Sequence, residues 1–173
     1  EPDSLKSPVY NNDVTIDKSM TIKTKAFKPG WISSDVSEKT FLKSGFKVDS
    51  TWFIKPPVDE PYKSLSASVM TDQQKGESDF RSGKWIGYHG TQMETMLYFN
   101  AEQSISSITV SNLIDIGSYI MPPQQIEVWG GADAAHLRLI KTFKPEQPTM
   151  EVPSYMRSYD LSFSPVKEKY FKL

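Results

Sequence analysis

The sequence predicts an all-β protein, and three observations support this fold class. Proline (12 residues), glycine (9 residues) and aromatic residues (12%) are frequent, which is typical of many strands joined by turns. Apolar residues alternate with polar ones in several segments, as half-buried strands require. No stretch longer than about ten residues keeps a helical period between caps, so we expect little helix.

Residues 1–43 show the alternation first. Apolar residues at positions 14–22 alternate with Thr and Lys, which predicts strands with one solvated face. Residues 28–31, Lys-Pro-Gly-Trp, predict a turn because Pro presets its first corner and Gly accepts a positive φ at its second. A second predicted strand, residues 36–42, follows the turn.

Residues 44–62 predict a stiff, proline-rich connector, because consecutive prolines hold a chain extended. Within it, Trp52, Phe53 and Ile54 are too apolar for a solvated tether. We expect them to pack against a flanking domain, with a ligand platform as the less favoured alternative.

Residues 63–173 predict a second β domain, since short strands recur there with turn residues between them. This spacing is typical of a sandwich or barrel. The predicted strands are residues 65–70, 94–99, 105–112, 125–129, 137–143, 157–163 and 169–173.

A long loop, residues 69–90, is the strongest candidate for a functional site. It is rich in Gly, Asp, Ser and Gln yet carries several aromatic residues. Carbohydrate sites stack a sugar ring on an aromatic side chain and bind its hydroxyls with polar groups. The loop and a later loop at residues 115–119 supply such groups. The candidate carbohydrate-binding residues are Arg81, Trp85, Tyr88, His89, Asp115 and Tyr119.

The candidates differ in their expected exposure. We expect Tyr88, His89 and Tyr119 to be exposed contacts, whereas a large aromatic such as Trp85 is more often structural. A turn role for His89, bonded to the backbone, is equally open.

The sequence argues against several other functions. Lys plus Arg (20) nearly balance Asp plus Glu (21), which disfavours nucleic-acid binding. There is no Cys, no apolar run that approaches the ~20 residues of a membrane span, and no Gly-x-Ser-x-Gly turn. Four loop acids are the candidates for a glycosidase pair, but acids in such loops more often make turns, so we expect no catalytic site. These acids are Asp72, Glu77, Asp79 and Asp115.

The first region resembles a known family. Residues 7–10, 14–16 and 21–31, with Ser34, are similar to the small immunoglobulin-like domain at the C-terminal end of chitobiases and β-hexosaminidases. The resemblance implies that residues 1–43 are only the second half of that domain, whose first strands lie upstream.

The second region resembles another family. Residues 65–72, 96–99, 105–110 and 125–133, with Trp85, are similar to the discoidin or coagulation-factor type C domain. That resemblance implies a galactose-binding-like jelly roll of eight strands. The chain departs from the family by having Gln73 where a Gly is usual, and by lacking the closing strand.

The second resemblance also bears on metal binding. It implies a structural Ca²⁺ in the first loop, with Asp72 as a ligand, because Ca²⁺ takes six to eight oxygen ligands and loop carbonyls supply many of them. The alternative is that Asp72 only makes an Asx-turn with Gln74. Gln73 in place of a permissive Gly favours the turn.

Together the resemblances imply a noncatalytic C-terminal region of a chitobiase or β-hexosaminidase from an exported or cell-surface bacterial protein. It would hold an N-acetylhexosamine- or galactose-type glycan near an upstream catalytic domain absent from this chain. The alternative is a structural spacer or protein-interaction module. Exposed aromatic residues on the loops would favour the first hypothesis.

Overall fold

The protein is all-β, as the sequence predicts. The computed structural model describes residues 1–11, 13–18, 20–41, 45–150 and 152–173. Its strands are β1 (Met20–Thr24), β2 (Ser37–Phe41), β3 (Ser50–Lys55), β4 (Glu94–Ile114), β5 (Ile126–Gly131), β6 (Arg138–Phe143) and β7 (Tyr155–Lys172). Two short 3₁₀ helices lie at Ala67–Met70 and Ile116–Ser118. In the part of the chain that is described, no helix is long and apolar enough to cross a membrane.

The chain divides into two compact units, Glu1–Gly45 and Phe46–Leu173. The predicted end of the first domain, at residue 43, falls within residues 42–44, which lie outside the described residues. Residues 50–55, which the sequence placed in a connector, are part of the second unit.

The first unit contains an antiparallel pair, β1 and β2, with Met20 opposite Phe41 and Thr24 opposite Ser37. β2 matches the strand predicted at residues 36–42, although Leu42 is outside the described residues. The predicted turn is present: the Trp31 N–H donates to the Lys28 carbonyl over 3.0 Å, and Gly30 has φ 76°. Residues 14–16 lie outside both strands.

The second unit is built on one antiparallel sheet with the strand order β3-β4-β7-β5-β6. Two of its strands are longer than the sequence suggested. β4 joins the strands predicted at 94–99 and 105–112, and β7 joins those predicted at 157–163 and 169–173. The polar residues between the predicted segments look like turns, but Gln103 to Ile105 still pair with Glu168 to Val166 across the ladder.

β3 is a strand that the sequence pattern did not predict. Trp52 pairs with Met96 and Phe53 with Thr95, which makes β3 an edge strand of the sheet. The prolines that suggested a connector begin directly after it, where an edge strand tolerates them. The alternation of Thr51 and Phe53, half-buried, with exposed Trp52 is the period of a strand.

The predicted strand at residues 65–70 is instead a 3₁₀ helix at Ala67–Met70. The Ser66 side chain caps it by accepting a hydrogen bond from the Ser68 N–H at 3.3 Å. Ser residues favour such local caps over a strand, which is why the apolar alternation was misleading here.

The sheet curls so that the two halves of the long β4–β7 pair enclose a core with β5. Phe99 and Phe171 come from one half, and their rings meet edge to face at 6.0 Å. Tyr159 comes from the other half and contacts Phe143 at 5.5 Å between ring centroids. The buried cluster consists of Leu97, Phe99, Ile105, Ile126, Val128, Tyr159, Leu161 and Phe171.

Register shifts in the β4–β7 ladder change which side chains of β4 face the core of the curled sheet. One lies between Tyr98 and Gln103, and another between Ile105 and Ser107. An extra residue in one strand reverses which face the following side chains occupy. Thus Ile105 and the even-numbered Ile108 both pack into the core.

Candidate functional site

The loop at residues 71–93 is fastened to β3 by Tyr88. The Tyr88 hydroxyl donates a hydrogen bond to the Lys55 carbonyl at 2.6 Å, and its ring meets Phe53 edge on at 6.4 Å. Burial raises the pKa of Tyr88 to about 12. Tyr88 was expected to be an exposed contact, but it is half-buried, because both its ring and its hydroxyl find partners on the strand.

Trp85 stabilises the loop from within. Its indole N–H donates to the Glu77 carbonyl at 2.7 Å. Its ring lies against Gly76, where a β-carbon would come within 2.2 Å of a ring carbon. A half-buried ring with a satisfied N–H is what a structural tryptophan requires. Trp85 is therefore less suited to sugar stacking than to holding the loop.

A further aromatic contact involves Tyr62, outside the loop. Its ring lies over Gly87, so that a β-carbon there would come within 2.4 Å of it. Burial raises the pKa of Tyr62, and the nearby Arg81 guanidinium partly opposes this shift. The Arg81 guanidinium lies 4.7 Å from the centroid of the Phe80 ring. Arg81 and His89 are the two candidates of this loop that are exposed.

The second loop presents Tyr119 to solvent. Asp115 and Ile120 close the loop through paired backbone hydrogen bonds of 2.9 Å each. The Asp115 carboxylate also accepts the Ser118 N–H at 3.3 Å, which caps the 3₁₀ helix. Tyr119 follows with φ 58°, and 89% of it is exposed. A closed turn thus holds the backbone beneath a freely accessible ring.

The two loops are not directly joined. Among the described residues, no hydrogen bond, ion pair or ring contact links residues 71–93 to residues 115–119. Of the six predicted residues, Arg81, His89 and Tyr119 are exposed, whereas Trp85, Tyr88 and Asp115 hold their own loops in place.

Most of the loop acids considered as a glycosidase pair form local turns. Asp72 accepts the Gln74 N–H and Asp79 the Arg81 N–H, each at 2.8 Å. Glu77 forms a 2.5 Å ion pair with Lys84. Their contacts agree with the alternative that these acids stabilise local turns.

The Asp72 turn also bears on calcium. Across the described residues, no three His, Asp or Glu side chains are grouped to hold a metal. Asp72 offers one carboxylate, and its Oδ1 already accepts the Gln74 N–H. Calcium binding by this loop stays a prediction, since loop carbonyls would supply many of the six to eight oxygens that Ca²⁺ takes. Gln73 has φ 62°, so it adopts the conformation for which the family resemblance implied a Gly.

An ionic cluster that the sequence did not reveal lies beside the end of β3. Glu94 forms ion pairs with Lys55 and, at 3.7 Å, with Lys172; Gln92 donates to it at 2.7 Å. Above all the hydrogen bond from Lys55 holds the pKa of Glu94 down, from 4.5 to about 2. The residues come from three strands and the preceding loop, so only the strand register brings them together.

We expect the Glu94 cluster to make the folded protein less stable in acid. Because the folded state lowers this pKa, its contribution is complete above pH 4.5 and is lost as the pH falls towards about 2. The loss should be on the order of 1 kcal/mol, because Lys55 is exposed and water screens its pair with Glu94. Urea unfolding at pH values from about 6 down to about 2.5 measures this loss.

Glu94→Gln is the matched control for this acid dependence. The difference in unfolding free energy between wild type and variant should shrink as the pH falls through this window. A difference that stays constant with pH would contradict the assigned role of the carboxylate.

Strand register also aligns a row of side chains that sequence reasoning did not connect. Trp52, Met96, Lys172, Trp129 and Leu139 pair in sequence across all five strands of the second unit, and we call them the outer-face row. Directly paired residues share one face of a sheet. Since Leu97 and Phe171 face the core, the row faces outward. The period-two pattern of residues 50–55 was the one available signal for Trp52.

No protein-family model matches the chain, and no curated protein is significantly similar to it. The two family resemblances therefore rest on the residues quoted above, and the function that they imply is a proposal.

Proposed function

We propose that the chain is a noncatalytic carbohydrate-binding region of a chitobiase- or β-hexosaminidase-like protein, exported or displayed by a bacterium. The observation that carries the proposal is Tyr119, whose ring is 89% exposed on a backbone fixed by the Asp115 turn. The two family resemblances agree with it.

Tyr119 has the properties that sugar binding needs. The apolar face of a pyranose can stack on an aromatic ring, and a ring on a fixed backbone loses little conformational entropy on binding. The closed turn holds the Tyr119 ring out in solvent, where a sugar can reach it. On the loop at residues 71–93, Arg81 and His89 supply exposed polar groups that can bind sugar hydroxyls.

The mechanism we propose is tethering. A weak glycan site linked to a catalytic domain raises the local concentration of substrate without performing chemistry. The upstream catalytic domain belongs to this proposal, as does an N-acetylhexosamine- or galactose-type ligand.

We expect Tyr119→Ala to weaken glycan binding by about tenfold, which corresponds to the loss of one aromatic contact of about 1.4 kcal/mol. The thermal midpoint should not change, because the ring packs against almost nothing. A glycan array with chitin oligomers and N-acetylhexosamine- and galactose-terminated glycans, with and without Ca²⁺, measures the binding.

Tyr10→Ala is the matched control, since Tyr10 is also an exposed tyrosine (74%) but lies in the first unit. It should leave binding unchanged. If the folded wild-type protein binds none of the glycans, the proposal fails.

A protein-interaction module is the second candidate, and the first unit favours it. Leu5, Trp31 and Ile32 are exposed by 92%, 71% and 99%. Apolar residues exposed to this extent are typical of contact surfaces. A folded protein that is silent on the glycan array but binds a protein partner through residues 1–41, and loses it in Ile32→Asp, would favour this function.

A further inference from the structure

The connection between β1 and β2 carries an apolar tip at residues 27–32, which we call the hairpin tip. Phe27, Trp31 and Ile32 are exposed by 45%, 71% and 99%. All three line one open hollow of about 250 Å³, whose other lining residues are Ala26, Lys28 and Ser34. The three large apolar side chains are therefore grouped in one accessible patch, and such a patch is typical of a contact surface.

Hydrogen bonds close the backbone beneath the hairpin tip. The Ser34 N–H donates to the Ala26 carbonyl at 3.1 Å, and the Ala26 N–H donates to the Ser34 hydroxyl at 2.9 Å. Within the tip, the Trp31 N–H donates to the Lys28 carbonyl at 3.0 Å. The exposed side chains thus stand on a closed turn, and binding through them orders little additional backbone.

The hairpin tip has few charges. Lys28 is the one charged residue at positions 26–34, and its ammonium lies 4.4 Å from the centroid of the Trp31 ring. Two lysines just before the tip already have acidic partners. The pairs are Lys23 with Glu38 at 2.8 Å and Lys25 with Glu1 at 3.0 Å. Affinity at the tip must therefore come mainly from apolar contact.

The chemistry of the hairpin tip suits a lipid surface better than a sugar. A sugar needs a free ring face and groups that bind its hydroxyls. Lys28 already lies over the Trp31 ring, and the neighbouring Ile32 side chain forms no hydrogen bonds. A membrane interface accepts apolar side chains at the acyl boundary, a tryptophan ring at the headgroup level and a lysine that reaches the phosphates. The hairpin tip contains all three.

We propose that the hairpin tip inserts into the interface of a phospholipid membrane. Phe27 and Ile32 would enter the acyl boundary, Trp31 would lie at the headgroup level, and the Lys28 ammonium would contact a lipid phosphate. One small tip gives shallow, reversible binding and not a stable anchor. Because a single lysine supplies the charge, neutral and anionic phospholipids should both bind. This proposal does not depend on glycan binding.

Sedimentation of the whole chain with lipid vesicles tests the proposal, using phosphatidylcholine alone and phosphatidylcholine with about 30% phosphatidylglycerol. Wild type should bind both, with a preference for the anionic vesicles of about fivefold at most, the contribution of one lysine. Lys28→Gln should remove that preference but still bind neutral vesicles. Ile32→Asp should weaken binding to both by at least about tenfold, because it places a charge at the acyl boundary. Trp31→Ala should weaken binding by about tenfold.

Leu5→Asp makes the same kind of change outside the hairpin tip, at a residue of the first unit that is 92% exposed. It should bind vesicles as wild type does. The proposal is overturned if folded wild type binds neither kind of vesicle, or if Ile32→Asp and Trp31→Ala both bind as wild type does. Binding that requires anionic lipid and disappears in about 0.5 M salt would contradict apolar insertion. If wild type ignores vesicles but Ile32→Asp loses a protein partner, the tip is a protein-docking surface instead. None of these variants should change glycan binding, so either proposal can fail alone.

Discussion

Phe171→Ala should lower the free energy of unfolding by about 3–5 kcal/mol, the usual range for a fully buried Phe. Phe171 has no exposed surface, and it lies in the cluster where the two halves of the curled sheet meet. Its ring contacts Phe99 at 6.0 Å. Removing it leaves a cavity between the layers that the surrounding strands can fill only in part. Urea unfolding followed by circular dichroism measures the loss.

Tyr170→Ala is the matched control, because Tyr170 precedes Phe171 on β7 and faces the other side of the sheet. Its half-buried ring contacts Tyr98 at 4.9 Å, and its removal should cost about 1 kcal/mol. Equal losses in the two variants would show that the sheet does not bury one face preferentially, and would contradict the curled core.

Trp85→Ala should have the next largest effect, about 2 kcal/mol, because a half-buried ring and a hydrogen bond are both lost. The effect should be local. Without the ring over Gly76, the segment at residues 71–93 loses its internal support and should be cleaved faster by a protease. Limited proteolysis with mapping of the first cleavage site measures this.

Trp85→Phe separates the two contributions, since it keeps an aromatic ring but removes the N–H that the Glu77 carbonyl accepts. It should lose about 1 kcal/mol and be cleaved at an intermediate rate. A Trp85→Ala protein with unchanged proteolysis but reduced glycan binding would instead indicate that Trp85 contacts the ligand.

Local sequence patterns predicted the fold class, whereas the lengths and the pairing of the strands depend on residues far apart in the chain. β5 and β6 are found where alternation between apolar and polar residues predicted them. The long β4 was divided in the prediction because its polar middle resembles a turn. Whether such a segment turns or stays paired depends on the partner strand, which here is β7: Gln103 in the middle of β4 pairs with Glu168.

The candidate site residues show the same difference between local signals and long-range contacts. Tyr119 was correctly expected to be exposed, because a Gly-Ser-Tyr sequence after Asp115 is a local turn signal. The burial of Tyr88 depends on Lys55 and Phe53, more than thirty positions earlier, so no local pattern reveals it. The alignment of Trp52 with Trp129 likewise requires the complete sheet order.

The most direct test of glycan binding through exposed aromatic residues is an NMR titration of the ¹⁵N-labelled chain with a chitin oligosaccharide. The four tryptophans each give one indole N–H signal, and Tyr119 gives a backbone amide signal. We expect the Tyr119 amide signal to shift saturably, while the hydrogen bond from the Trp85 N–H to the Glu77 carbonyl keeps the Trp85 indole signal in place. Shifts confined to Trp85 and its loop, or no shifts at all, would contradict this account.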